Sequence, residues 1–163
     1  MSYDNSTGII TYTGPSASEV RAHFSGGTGV TITDGVVAIG QAVATTSAVQ
    51  FSSVQLDSTA HIDTATLTTT TTIPDQVVDS WSATTYRSAK YQVQITSGTD
   101  YQVLEILVVH NGTTATQTIY ADIKTNTELA AFGVDINSGV VRLLTTPTNA
   151  ATTYRVIRTA ITA

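Results

Sequence analysis

The sequence predicts an all-β protein: an N-terminal oligomerisation region with one short helix and a hairpin, followed by a C-terminal antiparallel β-sandwich. Three observations carry that expectation. Only 12% of the 163 residues are charged, against about 25% in an average globular protein, while Thr, Val, Ser and Gly abound, a balance that favours sheet over helix or disorder. An Asp-Gly pair, Asp34-Gly35, sits between two short runs of alternating β-formers and supplies the positive-φ positions of a tight hairpin. From Val77 onward, runs such as AKYQVQIT, YQVLEILVVH and TTYRVIRTAI are separated by SGTD, HNGT, INSG and TPTNAA, the strand-and-turn spacing of a sandwich. The length suits one domain or a domain with an appendage.

Pro15 fixes an entry geometry, Ser16 caps, and Glu19 completes a Ser-x-x-Glu capping box, predicting a helix over residues 16–24. Val20, His23 and Phe24 fall on one of its faces, and two turns are too short to stand alone in water. The Ser25–Gly29 stretch, SGGTG, cannot continue the helix and reads as a bend. Across Asp34-Gly35, Ile32 faces Val37 and Val30 faces Ile39, so all four side chains share one face. Between Gln41 and Leu67 the apolar positions are sparse, and the five threonines at 68–72 with Ile73-Pro74 read as a linker or exposed strand. The expected division is an N-terminal assembly region, 1–73, and a sandwich domain, 77–163, of six or seven strands. Within the sandwich, pairing around Asn111-Gly112 is expected to set Leu104, Ile106 and Val108 against Ile119, Gln117 and Ala115. Asn137-Ser138-Gly139 is expected to form a three-residue loop joining Phe132, Val134 and Ile136 to Val141 and Leu143.

Charge divides the chain as well. Residues 1–79 carry seven acidic side chains against Arg21 alone, for −6, whereas residues 80–163 carry five acids and six Lys or Arg, for +1. Neither half has the dense basic stripe that a phosphate backbone attracts, so nucleic acid is not an expected partner. Arg142, Arg155 and Arg158 read as a solvated or ion-paired strand face. With no cysteine, disulfides, thiolate metal sites and thiol nucleophiles are excluded. No apolar run approaches the roughly 20 residues of a membrane helix and no basic-then-apolar leader is present, so membrane insertion is not expected and synthesis in a cytoplasm is.

The residue types of chemistry are thinly spread. His23, His61 and His110 lie on separate elements; His61 and Asp63 share a strand face without a third ligand. Asp75 and Asp79 form the one close acidic cluster, and Asp57 could meet Asp63 only through folding. SGGTG lacks the Lys-Ser/Thr of a phosphate loop. Trp81 and the tyrosines at 86, 91, 101, 120 and 154 read as core or rim of the sandwich rather than a ligand platform. No catalytic, cofactor-binding or metal site is expected, and the chain is expected not to be an enzyme.

One phrase is specific. Tyr3, Thr7, Gly8, Thr11, Tyr12, Thr13, Gly14, Pro15 and Ser16 reproduce an order, Tyr-x-x-x-Thr-Gly-x-x-Thr-Tyr-Thr-Gly-Pro-Ser, that resembles a module of fibre-type structural proteins of tailed bacteriophages, those of marine cyanobacteria in particular. Residues 27–56, with Gly40-Gln41 and Ala44-Thr45-Thr46, resemble its companion segment, and stretches of the C-terminal half are similar to a terminal domain of such proteins. The resemblance implies a virion protein made in the host cytoplasm, a short tail fibre or fibre-like appendage contributing to host attachment. A capsid decoration protein or a baseplate or collar component is the alternative, with a glycan-degrading spike ranked below both. It implies a homotrimer whose axis is lined by Val30, Ile32, Val37, Ile39, Val49 and Phe51, partnered by other virion proteins and by a host-surface receptor. Loops at 97–100, 111–114, 124–127 and 145–151 would then point outward. A single copy of the module argues against a long shaft.

Overall fold

The computed structural model describes residues 1–40, 46 and 48–163. The chain divides into two compact units, Met1–Gln50 and Phe51–Ala163. As expected, it is nearly all β, with antiparallel sheets and one short helix among the described residues.

In the first unit, β1 (Ser2–Asp4) pairs with β2 (Ile9–Thr11). Their turn is built by Asp4, whose carboxylate accepts from the Ser6 amide at 2.9 Å and the Ser6 hydroxyl at 2.6 Å, while Gly8 takes φ +71°. Helix α1 (Ala17–Ala22) has the predicted capping box: the Ser16 hydroxyl accepts from the Glu19 amide and the Glu19 carboxylate accepts from the Ser16 amide at 2.7 Å. Strands β3 (Thr31–Thr33) and β4 (Val36–Ala38) pair with Ile32 opposite Val37, and Asp34 and Gly35 take φ of +51° and +83°, the signature of a type I′ turn. None of the unit's described residues is buried, and Val20 and Phe24 leave the apolar side of α1 uncovered. Gln41 to Thr45, with the Gly40-Gln41 and Ala44-Thr45-Thr46 phrases, fall wholly or partly outside the described residues.

The second unit holds β5 (Val54–Leu56), β6 (Ala60–Thr68), β7 (Gln76–Ser82), β8 (Tyr86–Ser97), β9 (Asp100–His110), β10 (Ala115–Lys124), β11 (Ala130–Asn137), β12 (Val140–Pro147) and β13 (Thr153–Thr162). They form a six-stranded sheet, β10-β9-β8-β13-β6-β5, and a three-stranded sheet, β11-β12-β7. The core lies between them. Strict alternation sends Tyr91, Val93 and Ile95 of β8, Leu104, Ile106 and Val108 of β9, and Tyr154, Val156 and Ala160 of β13 inward, against Trp81, Leu129, Val141 and Leu143. Tyr91 and Tyr154 keep their hydroxyls satisfied: the Trp81 indole N–H donates to Tyr91 at 2.8 Å, and Thr145 Oγ1 lies 3.0 Å from the Tyr154 oxygen.

Local details differ from the sequence expectation. The stretch 54–68 supplies β5 and β6, and β6 pairs along its whole length with β13, from Thr68 opposite Thr153 to Ala60 opposite Ile161. The threonine run is no free linker at its start: Thr69 is buried, its amide donating to the Thr152 carbonyl at 2.9 Å and its hydroxyl to the Ala150 carbonyl at 2.6 Å. The β9–β10 register lies two residues from the expected one, with Ile106 opposite Ile119 and Val108 opposite Gln117. Asn111 lengthens that connection, its side-chain oxygen accepting from the Thr113 and Thr114 amides. The β11–β12 loop is a two-residue turn, Ser138-Gly139, with φ +51° and +78° and Asn137 opposite Val140.

Candidate functional site: a buried ion cluster and an open sheet face

Two arrangements of polar side chains stand out in the sandwich, one on each side of the six-stranded sheet. On the inner side, Arg158 of β13 is 5% exposed. Its Nη1 donates to Asp79 Oδ2 at 2.5 Å and to the Ser80 carbonyl at 3.3 Å, and its Nη2 donates to Asp63 Oδ2 at 3.0 Å. Asp79 belongs to β7 and Asp63 to β6, so one guanidinium ties the two sheets together. Its Nε is buried without a partner. Burial works against the charge on Arg158, but the carboxylates of Asp79 and Asp63 outweigh it and hold the group more basic than usual. Burial beside Asp79 also raises Tyr91 well above the ordinary phenol range. Both carboxylates are occupied by the guanidinium, so this cluster acts as a clamp.

The histidines stay apart. His110 places Nε2 2.8 Å from the Tyr86 carbonyl while its Nδ1 accepts from the Gly112 amide at 3.0 Å, fixing the Nε2–H tautomer and anchoring the 111–114 turn. His61 stacks on Tyr86, centroids 5.9 Å apart, with Nδ1 buried and unpartnered. Asp57 sits in the β5–β6 turn at φ +53°. It is separated from Asp63 by three residues of β6 beyond Ala60, about 10 Å of strand, so the folded chain does not bring that pair together. Asp75 makes no ion pair among the described residues, Arg142 being paired with Asp135, whereas Asp79 is bound to Arg158. No group of three or more His, Asp or Glu among the described residues is placed to hold a metal.

On its outer side the six-stranded sheet is open. A depression of about 440 Å³ is lined by Thr64 and Thr66 of β6, Gln92 and Gln94 of β8, Val103 of β9, and Arg155 and Ile157 of β13. Two smaller depressions follow it along β8 and β13, one beside Lys90, Glu105 and Thr159 and one beside Ser88, Leu107 and Ile161, and neighbours share Gln92 and Ile157 or Lys90 and Thr159, so the three form a stepped trough. Lys90 is neutralised in the wall by Glu105 at 2.9 Å. That contact pushes the Glu105 carboxyl below its usual range and the Lys90 ammonium above. The Arg155 side chain makes no ion pair or hydrogen bond among the described residues, while its backbone is paired in the ladder with Thr66 and Gln94.

The expected axis residues are mostly exposed: Ile32 and Val30 are half-buried, while Val37 is 63% and Phe51 68% exposed, with Ile39 and Val49 near 40%. The hairpin brings Ile32 and Val37 together; Val49 lies in the first unit and Phe51 opens the second. Of the loops expected to point outward, 97–100, 124–127 and 145–151 gather at one end of the sandwich, where the Thr125 amide donates to the Tyr101 carbonyl and the Thr148 amide to that of Leu129. The 111–114 turn is at the opposite end.

No protein-family model matches this sequence, and comparison with curated proteins finds no match. Among solved structures, similarity is found to the tailspike protein of Acinetobacter baumannii phage AM24, with TM-score 0.39 and 6% identity over 63% of this chain and 26% of that one. The tailspike of Acinetobacter baumannii bacteriophage Fri1, described as a capsular polysaccharide depolymerase, gives TM-score 0.35 and 12% identity over 69% and 19%. The tailspike of Acinetobacter phage vB_ApiP_P1 gives 0.38 and 17% over 78% and 28%. The chain spans 19–28% of the length of these tailspikes, and no correspondence of individual residues follows from them. The expectation that the chain is not an enzyme is corrected here, because one of the similar proteins is described as a depolymerase. An acid pair or nucleophile whose members come from different chains leaves no complete set in one chain's sequence.

Proposed function

We propose that this chain is part of a bacteriophage tail appendage that takes part in attachment to the host surface, with the N-terminal unit serving assembly and the sandwich presenting a recognition surface. The observation that carries the reading is the contrast between the two units. The first has regular hairpins and a fully formed capping box yet buries none of its described side chains, leaving Tyr3, Ile9, Ile10, Tyr12, Val36 and Val37 in solvent. The second has a dense core of its own. A segment so regular and so uncovered gains its stability from other chains, and burial at roughly 25 cal/mol per Å² makes several such residues per chain a strong associating surface. The phrase Tyr3–Ser16, which resembles phage fibre modules, falls in that same segment, and its resemblance extends to the fibres of cyanobacterial phages. A homotrimer uses Val30, Ile32, Val37, Ile39, Val49 and Phe51 along its axis.

Immunogold labelling of virions tests the placement: signal at the tail supports it, and signal spread over the head replaces it with capsid decoration. Sedimentation equilibrium tests the assembly, for which a trimer at micromolar concentration is the expected result and a stable monomer the contrary one.

A further inference from the structure

We infer that the trough on the outer face of the six-stranded sheet binds a linear, carboxylate-bearing polysaccharide, with Arg155 as the anchor for the acidic sugar. The inference deepens the attachment reading and rests on it. Shape comes first. From Gln94 and Arg155 to Ser88 and Ile161 the trough follows six residues of strand, about 20 Å. It is an open row of three adjoining depressions, suited to an extended polymer more than to a compact metabolite. Lining comes second. On β8 the outward side chains are Ser88, Lys90, Gln92 and Gln94, all polar, whereas on β13 Ile157 and Ile161 alternate with Arg155 and Thr159. A sugar ring offers the same mixture, hydroxyls around its edge and C–H groups on its faces. Amide side chains pair with hydroxyls as both donor and acceptor, while the isoleucines give the rings apolar surface to rest on.

Charge decides the class of sugar. The molecule carries a net charge of −5, yet the trough does not share it. Lys90 and Glu105 cancel each other, which leaves the guanidinium of Arg155 uncompensated between Gln94 and Thr66 in the register of the sheet. Guanidinium is matched bidentately by a carboxylate, so a uronic or sialic acid is the partner that the position selects. The rival occupant of the face is a second copy of this chain, for which Leu107, Ile157 and Ile161 would serve; the unpaired Arg155 and the row of amides on β8 favour the glycan.

The test is affinity electrophoresis of the full chain through gels containing polygalacturonate, hyaluronan, polysialic acid or neutral dextran. Retardation by at least one acidic polymer and not by dextran is expected. Arg155→Ala should weaken it roughly tenfold, the loss of one charge-assisted hydrogen-bonded contact. Gln94→Ala should weaken it less, and Lys124→Ala, an equal change of charge away from the trough, should leave it unchanged. No retardation by any of the three acidic polymers overturns the inference, as does retardation that Arg155→Ala does not alter. An Ile157→Asp variant with a native circular dichroism spectrum that dissociates the oligomer in sedimentation also overturns it, showing the face to be covered by another copy. Virion labelling separates this inference from the reading beneath it: a tail protein that binds no acidic polymer sinks only the trough, and a binder found on the head sinks only the tail assignment.

Discussion

At the scale of single residues, the clamp of Arg158 concentrates the most consequence in one side chain. Removing it leaves Asp79, 13% exposed, and Asp63, 33% exposed, without their counter-charge, and breaking such a pair costs about 3–5 kcal/mol where burial is deep. Arg158→Met is therefore expected to lower stability to urea by several kcal/mol, and Arg158→Met combined with Asp79→Leu by distinctly less, because the second change removes the orphaned charge. Equal losses in the two variants would show that packing, not charge, is what Arg158 supplies. Asp4 makes a second prediction, concerning pH. The Ser6 and Thr7 hydroxyls, then the Ser6 amide, bind its ionised form and lower its pKa from 3.8 to about 2. A depressed carboxylate stabilises the turn above its ordinary pKa, and that contribution is lost as pH falls through the folded value. Carboxyl chemical shifts should show Asp4 titrating near 2, and the Ser6 amide signal should move with it; a midpoint near 3.8 would mean the turn is open in solution. In the sequence Arg155 and Arg158 read as one solvated or ion-paired strand face, whereas strand phase separates the two and the folded chain buries Arg158. Arg158 alternates with Tyr154, Val156 and Ala160, all inward, while Arg155 has the opposite phase and faces the trough. What sequence did not show was the partner, because Asp63 and Asp79 lie 95 and 79 positions away and only the folded sheets bring them within reach.

At the scale of elements, the turns explain which expectations survived. Asp34-Gly35 formed the predicted hairpin because a two-residue turn fixes its own register. Around Asn111-Gly112 the same logic gave a register two residues out, since Asn111 closes a longer turn through its side chain. The error was even, so every side chain kept its face, and Leu104, Ile106 and Val108 are buried as foreseen. Asn111→Ala should cost about 1 kcal/mol and speed amide exchange at Thr113 and Thr114. Unchanged exchange would mean that the backbone alone sets the turn. Gly133 offers the converse case. It lies inside β11 with no positive φ, and an added Cβ would meet nothing within 4 Å. Gly133→Ala should thus raise stability by about 0.4–1 kcal/mol through the entropy of the unfolded chain. A loss of assembly or binding in that variant would instead mark the open side of β11 as a place where another molecule approaches closely.

At the scale of the whole molecule, the position of β6 decides what can fold by itself. The sequence placed the change of texture near residue 73, because residues 54–68 are poor in large apolar side chains, and that composition is real. Yet β13, the last strand, enters the sheet between β8 and β6, and it is the open flank of β13 that draws residues 60–68 into the ladder. A fragment beginning at residue 77 would leave that flank unpaired from Thr153 to Ile161. It would also uncover the core beside Ala65 and Leu67, strip Thr152 of its bonds to Thr69, and take Asp63 from Arg158. Exposed ladder groups on a long strand are a template for aggregation. A fragment of residues 51–163 keeps all of these contacts. The expectation is that 51–163 unfolds in one cooperative transition with the midpoint of the full chain, whereas 77–163 is unfolded or aggregates at the same concentration. Because the first unit buries none of its described residues, its removal should leave the thermal midpoint of the sandwich in place while abolishing trimers in sedimentation, if association resides there. A 51–163 fragment that still forms trimers would move the associating surface into the sandwich, and the open face of its six-stranded sheet is where the contact would then be sought.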